Sequence, residues 1–375
     1  MSERVILLII PGLREDDLAR MPELQRLAAD AAPLAHSFPG LSAVVQTSMT
    51  TGLLPRDHGV VSHGAFDRDC SLWSPKTTTV QTPAERVWTT IRAYIPEFRC
   101  KLIGLEPIAA DHQRSSVDWF QQCPTDVSQT TVDVVEEAVS ALRLGNHLLI
   151  ARLLHLDGAG HVYGPESDEF AAMQAKLNEE IGELFRKVTR WATQMNQPEP
   201  LWIVATEYVI HPVNQCVQPN RVLQQLGWLT NTFDEHFSGE EAVLGGHGNL
   251  AWATGEYQCA HVFLADCPES PPAEGVALAF QDVDGVAEVL QEKGKQRRDL
   301  NHPNSGDLVL IAEPNATFDC SVGLVGDLPR GTHGSPAEQS EMRGVILASE
   351  PGVLFGSSAM ADFDVAGIVL RQFGI

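Results

Sequence analysis

The chain has 375 residues, 43% hydrophobic and 20% charged, an ordinary globular composition with enough length to bury a large core. Its formal net charge of −23 argues against nucleic acid and anionic membrane surfaces as partners, since both would be repelled over most of the surface. The seven cysteines are scattered and form no CxxC pair, which speaks against a disulfide framework and a cysteine zinc site and makes the cytoplasm the expected compartment.

The first element is Val5–Ile10, an apolar run far too short to span a bilayer and ended by Pro11-Gly12. It reads as a buried parallel strand. A helix is expected over 15–31 and another over 83–95. A strand at 100–105, a helix at 127–143 and a strand at 147–154 follow. The stretch 168–196 places Phe170, Met173, Leu177, Ile181, Leu184 and Val188 at three- or four-residue intervals, the spacing of an amphipathic helix. Strands at 201–206, 307–312 and 343–348 and a last helix at 362–372 complete the pattern. Such alternation predicts an α/β fold with a mostly parallel sheet and helices on both faces. Between 212 and 304 the rhythm breaks, with Gly245-Gly246-His247-Gly248, Ser270-Pro271-Pro272 and a charged run from Glu292 to Asp299. We expect an inserted lid or subdomain at 212–304, set into a core formed by 1–211 and 305–375.

Open α/β sheets bind ligands beyond the carboxyl ends of their strands, so residues just after the strands carry most weight. Asp157 and His161 follow the run Leu148–Leu154, four residues apart, with Gly158 and Gly160 between them to allow a tight turn. A carboxylate and an imidazole brought together suit a divalent transition metal such as zinc. A capping aspartate and a surface histidine would give the same spacing. His333, in Gly331-Thr332-His333-Gly334, is either a loop histidine or the third protein ligand that an open metal site needs. Ser42 precedes a helix expected from about Val44 to Thr51, stopped by Gly52 with Pro55 beyond. Its hydroxyl is either an N-cap or a nucleophile served by the free N–H groups and dipole of the helix.

In order, IIPGLREDDL, MPELQRLA, the segment 38–59, D..GH.YGP, a strand ending in ATEY and GTHG resemble the type I phosphodiesterase/nucleotide pyrophosphatase family of the alkaline phosphatase superfamily, in a divergent bacterial branch. The stretch SGDLVLIAEPNATF…THGSPAEQ is also similar to phosphonoacetate hydrolases. The resemblance implies an alkaline-phosphatase-like core and two divalent metals, usually zinc, around a Thr or Ser nucleophile. Asp157, His161 and His333 match the ligands of one metal, and Ser42 matches the nucleophile. The other metal is held in the family by a first-strand Asp, the nucleophile hydroxyl and an Asp-His pair. Here Pro11 replaces that Asp, Glu207-Tyr208 replace the pair, and Val45 stands where an Asn that contacts the phosphoryl group is common. Glu207 is the residue left to ligate an ion or to act as a base for Ser42. The implied function is metal-dependent hydrolysis of a small phosphodiester or pyrophosphate through a Ser42 phospho-enzyme, with a reduced metal site. The alternative is a binding protein on the same fold that has lost turnover.

Overall fold

The computed structural model describes residues 4–67, 72–74, 84–106, 119–121, 134–230, 242–243, 249–321, 326–337, 343–354 and 358–375. The glycine-rich segment 245–248 and the first part of the helix expected at 127–143 lie outside these. In chain order the main sheet takes β1 (Val5–Ile10), β2 (Asp30–Ala35), β3 (Cys100–Ile103), β4 (Trp119–Gln121), β5 (Leu148–Arg152) and β6 (Leu201–Thr206). The chain then enters a second sheet of β7 (Gln215–Val217), β8 (Ala251–Tyr257), β9 (Cys259–Leu264), β10 (Val286–Leu290), β11 (Leu308–Ala312) and β12 (Ala316–Asp319). It returns to the first through β13 (Gly344–Ala348) and β14 (Met360–Ala361). Among the described residues the main sheet has eight strands in the order β14-β2-β13-β6-β1-β5-β3-β4.

Strands β6, β1, β5, β3 and β4 run parallel, and β13 is antiparallel to both its neighbours. The six apolar residues of β1 show why the sheet is covered on both sides. Val5, Leu7 and Ile9 enter one core, while Ile6, Leu8 and Ile10 enter another. The first core includes Val45 and Met49 of α1 (Ser42–Thr51). The second includes Phe170, Leu177, Ile181, Leu184 and Val188, the apolar stripe of α3 (Asp168–Met195), which follows α2 (His155–Tyr163). Burial on both faces is what turns a parallel strand into an unbroken apolar run.

Two expected elements differ. The helix expected over 15–31 is a short 3-10 turn, Glu15–Arg20, and a helix at Pro22–Leu27, followed by β2. Pro22 starts a new helix, its predecessor Met21 is held out of helical geometry, and the strand beyond is set by pairing with β13, more than three hundred residues away in sequence order. The strand expected at 307–312, within the core segment 305–375, instead pairs antiparallel with β9 and β10 in the second sheet. Its all-apolar burial said that both faces are covered, and nothing about which sheet covers them. Among the described residues no helix is long and apolar enough to cross a membrane.

Candidate active site

The carboxyl ends of β1, β5 and β6, three adjacent parallel strands, meet the N-terminus of α1 and the helix α2. Asp157 and His161 lie on α2, not in a turn, and their spacing of four puts them on one face of it. Glycine is needed there for closeness: a Cβ on Gly160 would come within 2.7 Å of Ile210, and one on Gly331 within 2.5 Å of the Gly160 carbonyl. That approach lets His161 Nδ1 donate to the Gly331 carbonyl at 2.8 Å, while two residues on, His333 Nδ1 donates to the Gly40 carbonyl at 2.7 Å. In the neutral form each imidazole thus carries its proton on Nδ1 and a lone pair on Nε2, the arrangement seen when a backbone carbonyl orients a metal-binding histidine.

One ligand atom from each of Asp157, His161 and His333 lies within 4.8 Å of the others. His161 Nε2 is buried without a hydrogen-bond partner and stands 3.5 Å from Asp157 Oδ1. Burial would raise the Asp157 carboxyl, but His161 in its imidazolium form and Arg152 outweigh it and hold it well below the usual range, while Asp157 raises the His161 pKa against burial. Two free imidazole lone pairs and an ionised carboxylate fit a divalent ion of the zinc type, with a position left open. The opening is on the Asp157–His161 side, where those side chains keep 17% and 18% exposure; Ser42 and His333 are buried. Tyr208 stacks on the His333 ring at 3.7 Å between centroids, and Tyr257 leans over both histidines.

Ser42 is the first residue of α1, and its hydroxyl does not cap the helix. Ser42 Oγ accepts from Arg152 Nη2 at 2.5 Å and lies 3.2 Å from the Tyr208 hydroxyl. Tyr208 in turn donates to Asp157 Oδ1 at 2.9 Å, so one hydrogen-bonded chain joins Ser42 to the metal cluster. Burial and the nearby carboxylates of Asp157 and Glu207 push the Tyr208 phenol well above its ordinary range, which keeps it protonated.

Glu207 sits apart from the three-ligand cluster and is fully buried. Its two oxygens accept from Arg152 Nε at 2.8 Å and from Gln46 Nε2 at 3.0 Å. Burial raises its carboxyl against the pull of Arg152, yet with N–H donors on both oxygens the carboxylate is the form the bonds suit. Arg152 Nη1 also pairs with Glu106 at 3.1 Å. Val45 is buried in the core, and its neighbour Gln46 supplies the polar contact of this turn. His261 has both ring nitrogens bonded to backbone, at Val61 and Gly306, and Glu256 pairs with His63. Neither joins the cluster.

No motif in the sequence marks Arg152, which lies inside the run Leu148–Leu154. The signal was there: a strand that is otherwise Leu, Ile and Ala, and buried throughout, carries one guanidinium. A charge so placed has to be paired.

The fold and the position of this cluster beyond the strand ends define an alkaline-phosphatase-like α/β protein with a candidate metal centre. Residues 5–336 match the type I phosphodiesterase / nucleotide pyrophosphatase family, and the chain belongs to it. A protein of Schizosaccharomyces pombe described as an uncharacterized pyrophosphatase/phosphodiesterase is 26% identical over 202 residues, 48% of this chain; the chain spans 40% of that relative's length. Murine ectonucleotide pyrophosphatase / phosphodiesterase 5 has a similar fold, with a TM-score of 0.76 at 14% identity over 99% of this chain and 95% of the other. Phosphonoacetate hydrolase from Sinorhizobium meliloti in complex with phosphonoformate gives 0.72 at 13% identity, over 99% and 96%.

Proposed function

We propose that the chain hydrolyses a small phosphodiester or pyrophosphate, with Ser42 as nucleophile and one divalent ion, zinc by the nature of its donors, held by Asp157, His161 and His333. The observation that carries this is the convergence of three ligand atoms beside a hydroxyl at a helix N-terminus. Solved relatives include an inactive variant of the murine protein in complex with AMP and a hydrolase in complex with a phosphonate, which supports an anionic phosphorus substrate.

The free N–H groups of the first turn of α1 receive the phosphoryl oxygens. Ser42 Oγ bonds to phosphorus while the bond to the leaving oxygen breaks, and the hydroxyl proton goes to Glu207. Water then cleaves the phosphoserine. The bound ion supplies Lewis-acid stabilisation of the phosphoryl charge and activation of water. Glu207 holds Arg152 in place, and its interaction with Ser42 makes it the base for the hydroxyl proton. The cytoplasm is the compartment we favour, since the described cysteines, Cys100, Cys216, Cys259, Cys267 and Cys320, are all free.

Release of p-nitrophenol from bis- and mono-p-nitrophenyl phosphate by metal-loaded protein, lost in Ser42→Ala, is the expected result. No release with any of several divalent metals would sink the hydrolase reading. The second reading, a binding protein without turnover, draws on the burial of Ser42 at 3% exposure. It predicts phosphate binding that Ser42→Ala leaves unchanged.

A further inference from the structure

In the family pattern the second metal is ringed by a first-strand Asp, the nucleophile hydroxyl and an Asp-His pair, positions held here by Pro11, Ser42, Glu207 and Tyr208. Pro11 offers no side-chain ligand. The other three all touch one group, the Arg152 guanidinium, at 2.5, 2.8 and 3.3 Å. The sheet register explains how it gets there: Arg152 lies opposite Ile9 of β1, beside the strand end that Pro11 follows.

We propose that the Arg152 guanidinium permanently replaces the second divalent cation, so that Ser42 is activated by a fixed arginine and the chain takes one ion. This rests on the reading of Ser42 as nucleophile. A metal at this position lowers the cost of negative charge on the attacking oxygen, and an N–H donor aimed at Oγ does the same in a buried site. Arginine stays charged at any working pH, and its planar fork reaches Glu207 and Ser42 together, which an ammonium does not.

An independent observation points the same way. Both oxygens of Glu207 and one of Glu106 face protein donors. Gln46 donates to Glu207 and accepts from the Glu106 backbone N–H at 2.8 Å, while Glu106 itself pairs with Arg152. Glu207, Glu106, Gln46, Arg152 and Ser42 are thus joined by hydrogen bonds around one fixed cation, whose charge offsets one of the two carboxylates.

Elemental analysis of the wild-type protein, saturated with zinc and dialysed, is expected to give one ion per chain, unchanged in Glu207→Gln. Two ions per chain would overturn the replacement and leave Ser42 untouched, whereas full turnover in Ser42→Ala would sink the nucleophile instead. Arg152→Ala is expected to lower kcat about 100- to 1,000-fold, the range for losing one such charge-stabilising donor, with partial recovery on adding guanidinium ion. Because that variant leaves the buried Glu207 without its counter-charge and can fail to fold, Arg152→Lys is the companion. It keeps the charge but not the fork and is expected to hold kcat between wild type and Arg152→Ala, whereas wild-type kcat in a folded Arg152→Ala protein would overturn the proposal.

Discussion

On one side of Ser42, the lone pairs of Asp157, His161 and His333 converge; on the other, Arg152, Glu207, Glu106 and Gln46 are bonded to one another. Both halves are assembled at the same strand ends from buried polar groups. The first leaves His161 Nε2 without a partner and holds Asp157 ionised, so its groups are completed by something from outside. The second carries its own cation in Arg152. A site can thus keep its overall charge pattern while one of its cations changes from a dissociable ion to a side chain, because what the reacting oxygens feel is field and geometry rather than the identity of the cation.

That contrast can be broken most sharply at the converging half. Asp157→Asn or His333→Ala removes a ligand, and zinc affinity is expected to fall by more than about 100-fold, beyond the 10- to 100-fold typical of losing an outer-shell partner. Competition with a chromogenic chelator reads this directly. Retained affinity in both variants would mean that the cluster is not the metal site.

The half with its own cation fails differently. Arg152→Ala leaves Glu207 uncompensated in the interior and is expected to cost about 3–5 kcal/mol of stability, with no loss of the ion at Asp157, His161 and His333. Denaturant unfolding measures the first and metal content the second. A loss of metal binding parallel to the loss of stability would mean that the halves are not separable.

His261 gives a third kind of buried histidine, satisfied on both nitrogens by backbone. Burial lowers its pKa to about 4. Between that value and roughly 6.5 the unfolded chain binds more protons than the folded one, so the stability it contributes grows with pH and is lost as pH falls toward 4. The term is up to about 3 kcal/mol, and its removal in His261→Gln should flatten the acid limb of stability against pH without changing metal content. An unchanged acid limb would assign that loss to other groups.

The smallest effect is expected at the join. Tyr208→Phe cuts the link between Ser42 and Asp157 while keeping the stack on His333 and, because the bonds lost are to charged groups, should cost about 1.5–3 kcal/mol. A much larger loss, seen by thermal unfolding, would show that the phenol holds the two halves together.

Much of this was legible in the residues. Strand and helix existence follow from local burial, which periodicity records directly: β1, β6 and α3 fall almost where their apolar patterns predict. The Asp157–His161 pair and Ser42 at the start of a helix were readable too, from spacing and from the stop at Gly52. Tertiary structure alone decided that Asp157 and His161 share a helix face, that 308–312 belongs to the second sheet, and that Glu207 is held by an arginine. Arg152 meets Ser42 across a separation of 110 residues. Sequence reports which groups are buried, since burial repeats with the local period of the chain. Which distant groups they meet there depends on strand order and register, and those are set by packing.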